Sequence, residues 1–184
     1  MKNYLLLTLA AALCLTLAAC VPNSQCPLSN PGDSHFDPKL IGDWLDKKDQ
    51  ETYRITAKDG SWMHVDVLKN GTQTDSYNFY STTIGKNTFA NVIFTNKDNP
   101  ALPPTGYTFI RYSTSEAGTL KMWSLSSDAT AAAVRAGKLN GSVSADKDKD
   151  VYLTDDPATL VKFFQKANLD KLFTNEVTLV QVKP

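Results

Sequence analysis

The chain has 184 residues, 42% of them hydrophobic, with 19 basic and 19 acidic side chains that cancel to a formal charge of zero. That length suits one ordinary domain with a sizeable core. The even charge balance argues against nucleic-acid binding, because neutralising phosphates takes a concentrated basic face.

The first element is a leader. Met1-Lys2-Asn3-Tyr4 opens on a positive charge, and an apolar run from Leu5 to Ala19 follows, broken by the hydroxyls of Thr8 and Thr16 and ending at Cys20. This charged start, apolar centre and small-residue exit is the layout of a secretory signal. A transmembrane helix needs on the order of 20 apolar residues, so a retained membrane helix is the weaker reading. Leu17-Ala18-Ala19-Cys20 resembles the lipobox of bacterial lipoproteins. The resemblance implies that residues 1–19 are removed as a signal peptide, that Cys20 takes diacylglycerol on its thiol, and that the freed amine is acylated. The remaining 165 residues would carry a formal charge of −1. Two or more chains anchor stably where one is marginal, so the membrane becomes a partner through Cys20. Val21 stands where an aspartate tends to retain such proteins in the inner membrane, which implies the outer membrane, with the domain on its periplasmic face.

Residues 20–39 read as a flexible tether, since Pro22, Pro27, Pro31, Gly32 and small polar residues leave almost no apolar period. Cys26 has no internal partner once Cys20 is lipidated, and reads as an exposed thiol in that tether. Asp33, His35 and Asp37 offer two carboxylates and an imidazole, but a tether lacks the held geometry that metal sites use, so no metal is expected.

The globular domain is expected over residues 40–184. Ile41–Leu45 and Glu51–Lys58 read as strands, the second with Tyr53, Ile55 and Ala57 on one face. Asp59-Gly60 predicts a two-residue type I′ hairpin, leading into Ser61–Lys69, where Trp62, His64, Asp66 and Leu68 alternate with Met63, Val65 and Val67. Asn70-Gly71 predicts a second hairpin of that kind. Further strands follow at Thr74–Thr83, Phe89–Thr95, Tyr107–Ser113 and Thr119–Ser126. The span from Asn96 to Gly106, with Pro100, Pro103 and Pro104, is read as a long loop, because proline donates no ladder bond.

Two short helices interrupt the end. Asp128–Ala136 has Ser127 or Asp128 as N-cap and Gly137 as terminator. The second starts with Asp156 as N-cap and Pro157 at the first helical position, with Leu160, Val161, Phe164 and Ala167 as its buried stripe. Leu169–Phe173 adds a helical turn, and Glu176–Val182 a last strand. The expectation is therefore a mainly β domain: an antiparallel up-and-down meander forming a curled sheet or barrel. Gly42-Asp43-Trp44 at the first strand, the meander, and a late helix before a final strand resemble the lipocalin or wider calycin arrangement. The alanine-rich helix departs from that pattern, and no Thr-Asp-Tyr element stands at a matching place.

His64 and Asp66 share a strand face, but no Gly-x-Ser-x-Gly or comparable nucleophile element accompanies them. They read as a half-exposed polar face. Asp146, Asp148 and Asp150 are spaced like the start of a calcium loop, yet Val151 stands where a glycine is needed and Pro157 where a glutamate belongs. The run reads as a solvated hairpin tip. The many strand aromatics, Trp44 and Tyr53 among them, read first as core. A non-catalytic, lipid-anchored domain without cofactor is the leading expectation, meeting a partner protein or a small apolar molecule. The lipocalin resemblance implies a carrier with an internal cavity, and an envelope hydrolase is the weakest alternative.

Overall fold

The computed structural model describes residues 21–94, 106–145 and 150–182. Ten of its strands are β2 (Gly42–Asp46), β3 (Glu51–Ala57), β4 (Met63–Lys69), β5 (Thr72–Ile84), β6 (Asn87–Phe94), β7 (Gly106–Ser115), β8 (Thr119–Leu125), β9 (Gly141–Val143), β10 (Val151–Leu153) and β11 (Phe173–Gln181), and β1 (Asn23–Ser24) precedes them. Strands β2 to β8 pair antiparallel in sequence, and β11 closes the ring between β8 and β2, so eight strands form a closed barrel. The expected mainly β meander is a true barrel, because the ring leaves no unpaired edge between β2 and β8.

The turns set the register. Asn70 and Gly71 both have positive φ, 52° and 77°, and join Lys69 to Thr72 directly, as a type I′ turn requires. At Asp59-Gly60 only Gly60 has positive φ. There the Trp62 N–H donates to the Asp59 carbonyl at 2.9 Å, so the reversal spans more residues than the two-residue turn expected. Asn175, with φ 54°, marks a bulge in β11 where the register with β8 shifts between Thr174 and Val177. The last strand consequently starts at Phe173, three residues before the expected start.

Away from the register shifts in β5 and β11, side chains alternate across the wall. Tyr53, Ile55, Val65, Val67, Tyr77, Phe79, Ala90, Val92, Ile110, Tyr112, Leu120, Met122 and Leu179 point inward. Phe89, Phe109, Leu125 and Phe173 form an outer cluster with Leu28, Ala131, Leu153, Leu160, Phe164 and Leu172. This outer core is roofed by α1 (Ser127–Arg135), α2 (Pro157–Lys166) and α3 (Leu169–Leu172). Phe164 of α2 lies between Phe89, Phe109 and Phe173, with ring centroids 5.7, 5.7 and 5.5 Å away, spacings that favour offset or edge contacts. Ser126 caps α1 by accepting from the Ala129 N–H, one residue before the expected cap. Asp156 caps α2 as expected, with Pro157 at its start.

The stretch expected to be a flexible tether is instead a strap packed along the barrel. Its β1 pairs with β7 at Tyr107 and runs parallel to β10. Leu28 is 2% exposed, and its N–H donates to the buried Asn91 side chain at 2.8 Å. The Tyr80 hydroxyl donates to the Ser29 carbonyl, Ser29 meets Thr82, and Ser61 donates to the Pro31 carbonyl. Specific long-range hydrogen bonds thus replace the freedom that composition suggests. Cys26 packs half-buried against the outer core and is free of disulfides. Asp146, Asp148 and residues 96–105 of the expected loop lie outside the described residues, while Gly106, the last residue of that expected loop, already begins β7.

Candidate binding cavity

The barrel has two unlike ends. At the base, residues 37–41 cross beneath the strands. Asp37 caps the short turn Pro38–Leu40, and Leu40 and Trp44, each 2% exposed, enter the interior beside Ile55, Met63, Phe79, Ala90, Tyr112, Leu120 and Leu179. The Trp44 indole N–H donates to the Leu40 carbonyl at 2.7 Å, so an aromatic large enough to fill the floor brings no unsatisfied donor with it.

Above this floor the interior is open. A cavity of about 770 Å³ runs upward, within the roughly 300–1,000 Å³ range of small-molecule sites. Its walls are mostly aliphatic and aromatic, from Ile55, Val65, Val92, Ile110, Met122 and Val177 to Tyr53 and Tyr77. Polar groups collect at the other end: Ser126, Ser127, Asp128, Thr174 and Asn175. Among the described residues, Val21 and Phe94 also line that end.

Polarity therefore rises from floor to mouth. Toward the floor, the Tyr112 hydroxyl sits 2.7 Å from the fully buried Ser81 hydroxyl and donates to Asp37 at 3.1 Å. Burial pushes the Tyr53, Tyr77 and Tyr112 phenols up from their ordinary value, with the nearby Glu51, Asp75 and Asp37 carboxylates adding to the effect. The cavity thus holds its tyrosines neutral.

The other side chains singled out in the sequence lie elsewhere. His64 and Asp66 stand on the outer wall, where one imidazole nitrogen is 3.1 Å from Asp66 and the other 2.9 Å from the Asn78 side-chain oxygen. Asp33, His35 and Asp37 diverge. Asp33 accepts from Asn30, the His35 backbone bridges to Ser81, and Asp37 accepts from Tyr112. Among the described residues no three His, Cys, Asp or Glu side chains gather as a metal set. No helix among them is long and apolar enough to cross a membrane.

Sequence reasoning read the aromatics first as core and gave an internal cavity only as what the lipocalin resemblance implies. Alternation on β3 to β8 carried the relevant signal, since it puts Tyr53, Val65, Tyr77, Val92 and Ile110 on one face. No protein-family model, characterised protein or solved structure matches the chain.

Proposed function

We propose that this chain is a lipid-anchored envelope protein whose barrel carries a small apolar ligand, and that it binds without catalysing a reaction. The observation that carries the reading is the cavity itself. An interior packed solid would have left only an interaction domain, whereas about 770 Å³ of space walled by aliphatic and aromatic side chains has the size and chemistry of a ligand site. The lipobox-like Leu17-Ala18-Ala19-Cys20 supports anchoring through Cys20, and Val21 after it supports the periplasmic face of the outer membrane. The position of His64 supports binding over hydrolysis, because both ring nitrogens are engaged on the outer wall, away from the cavity.

The test is displacement of an environment-sensitive apolar fluorophore from the delipidated protein. Wild type is expected to bind it with saturation. A double substitution, Val65→Phe and Val92→Phe, places two rings in the cavity and is expected to lower affinity by roughly tenfold or more, about 1.4 kcal/mol. Thr56→Gln on the outer face is expected to change nothing. Equal binding by all three proteins would refute the cavity as the site.

A further inference from the structure

The strap determines which end of the barrel the anchor leaves from. Strand β2 begins at the base, so a chain entering freely would leave its anchor anywhere within reach. About twenty flexible residues would have a root-mean-square span of roughly 25 Å and no preferred direction. The strap instead climbs the outer wall and ends at the mouth. The His35 backbone bridges to Ser81 near the base, Ser29 and Leu28 hold to Tyr80, Thr82 and Asn91 midway, and Ser24, fully buried, pairs with Tyr107. The Thr108 hydroxyl donates to the Pro22 carbonyl at 3.0 Å in a buried bond. Val21 then lines the cavity beside Phe94 and Thr108. Consecutive Cα atoms are about 3.8 Å apart, so a lipid on Cys20 leaves the protein at the rim of the cavity.

We infer that the anchor holds the mouth against the membrane, and that the ligand is an acyl chain of a membrane lipid that passes between bilayer and barrel without crossing water. The inference rests on the reading of Cys20 as the lipid attachment and of the cavity as the ligand site. The chemistry fits along the whole path. The floor and walls are mostly aliphatic and aromatic, the volume lies within the range of small-molecule sites, and the rim of Ser126, Ser127, Asp128, Thr174 and Asn175 is polar. A single chain enters tail first, and its headgroup stays at the level of the bilayer surface.

The experiment uses the full lipidated protein with Cys26→Ser, reconstituted in vesicles of phosphatidylethanolamine and phosphatidylglycerol bearing brominated chains. A fluorophore is placed either on Lys48→Cys, in the β2–β3 turn beside the mouth, or on Glu116→Cys, in the β7–β8 turn at the base. Both positions are exposed. Strong quenching at 48 with little at 116 is expected. Replacing Leu28 by Ala together with Thr108 by Val releases the strap and is expected to shrink that contrast at least twofold. A solvent extract of the washed protein is expected to release a single-chain lipid. Equal or reversed quenching overturns the inference, as does a contrast insensitive to the strap, or a cavity filled by a chain covalently bound to Cys20. Intact mass of the same preparation separates the cases: without acylation the anchor reading has failed, and with acylation but reversed quenching only the orientation has. Failure of the Val65 and Val92 pair to weaken fluorophore binding identifies failure of the cavity reading.

Discussion

Replacing Trp44 by Ala removes the floor of the barrel. The indole is 2% exposed and packs among Leu40, Ile55, Met63, Phe79 and Leu179. Truncating a buried Trp costs about 3–5 kcal/mol from lost transfer energy and the cavity left behind. The upper half of that range is expected here, because the Leu40 carbonyl, also buried, loses its donor and an unsatisfied buried acceptor costs about 1–3 kcal/mol. Trp44→Phe keeps most of the packing and loses the N–H, so about 1–2 kcal/mol is expected. Domains are stable by about 5–15 kcal/mol. The Ala variant should therefore still fold, with a midpoint lowered by roughly 8–20 °C at about 2–4 °C per kcal/mol. Urea and thermal unfolding, followed by far-ultraviolet circular dichroism, give the cost and the midpoint for each variant. A cost below about 1 kcal/mol for Ala would mean that the floor is not packed as described. Equal costs for Ala and Phe would assign the effect to the hydrogen bond and not to the ring.

Gly141→Ala is expected to destabilise by about 1–3 kcal/mol, since a Cβ there runs into the Tyr152 carbonyl and parts β9 from β10; an unchanged thermal midpoint would contradict that pairing. The Tyr53, Tyr80 and Tyr112 phenols are raised from the ordinary value chiefly by burial. Their contribution to stability is complete below the unfolded value of about 10 and is lost as pH rises through the folded values. Alkaline titration of phenolate absorbance should show these groups ionising late, together with loss of the fold. At the acid end, the Arg54 guanidinium holds Asp43 low, the Thr159 backbone N–H does so for Asp156, and the Lys121 ammonium for Glu176. Their contributions are present above the unfolded carboxylate values near 4 and decline as pH falls through the folded ones. Thermal midpoints should hold level near neutrality and fall only in acid, and a decline beginning near neutrality would count against these pairs.

Local chemistry made the hairpins and helix starts legible. Asn70-Gly71 and Asp156-Pro157 name their own conformations, because positive φ at two successive residues and a proline without an N–H admit few alternatives. The strap was not legible for the opposite reason. Every residue from Pro22 to Asp37 is locally compatible with solvent, and what orders them is a set of partners 30 to about 130 positions away, including Ser61, Thr82, Asn91, Thr108 and Tyr152. One clue was present: Asn91 interrupts an otherwise apolar strand, and a buried amide in a wall must have something to bond. The cavity stood only as an alternative reading, because alternation tells which side chains face inward and not whether they meet across the middle. The one-residue errors at Ser126 and the late placement of β11 arise where a cap or bulge, and not periodicity, decides the boundary.

The direction of ligand entry follows from how polar groups are spent along the barrel. At the floor, the Trp44 N–H is taken by Leu40 and the Tyr112 hydroxyl by Ser81 and Asp37, so a headgroup driven to that depth would lose its hydration and find its potential partners already bonded. Stripping a polar group of water without a new bond costs about 1–3 kcal/mol on protein scales, whereas each methylene buried there contributes about 0.8 kcal/mol. A single-chain lipid therefore lowers its free energy most with the tail on Leu40 and Trp44 and the headgroup beside Thr174 and Asn175. That pose needs a mouth that faces the source of the lipid, and an anchor next to Val21, which lines the cavity, would supply it. On the proposed reading, the segment that closes the barrel below is continuous with the one that would carry the anchor above, so orientation and ligand pose would come from one stretch of chain.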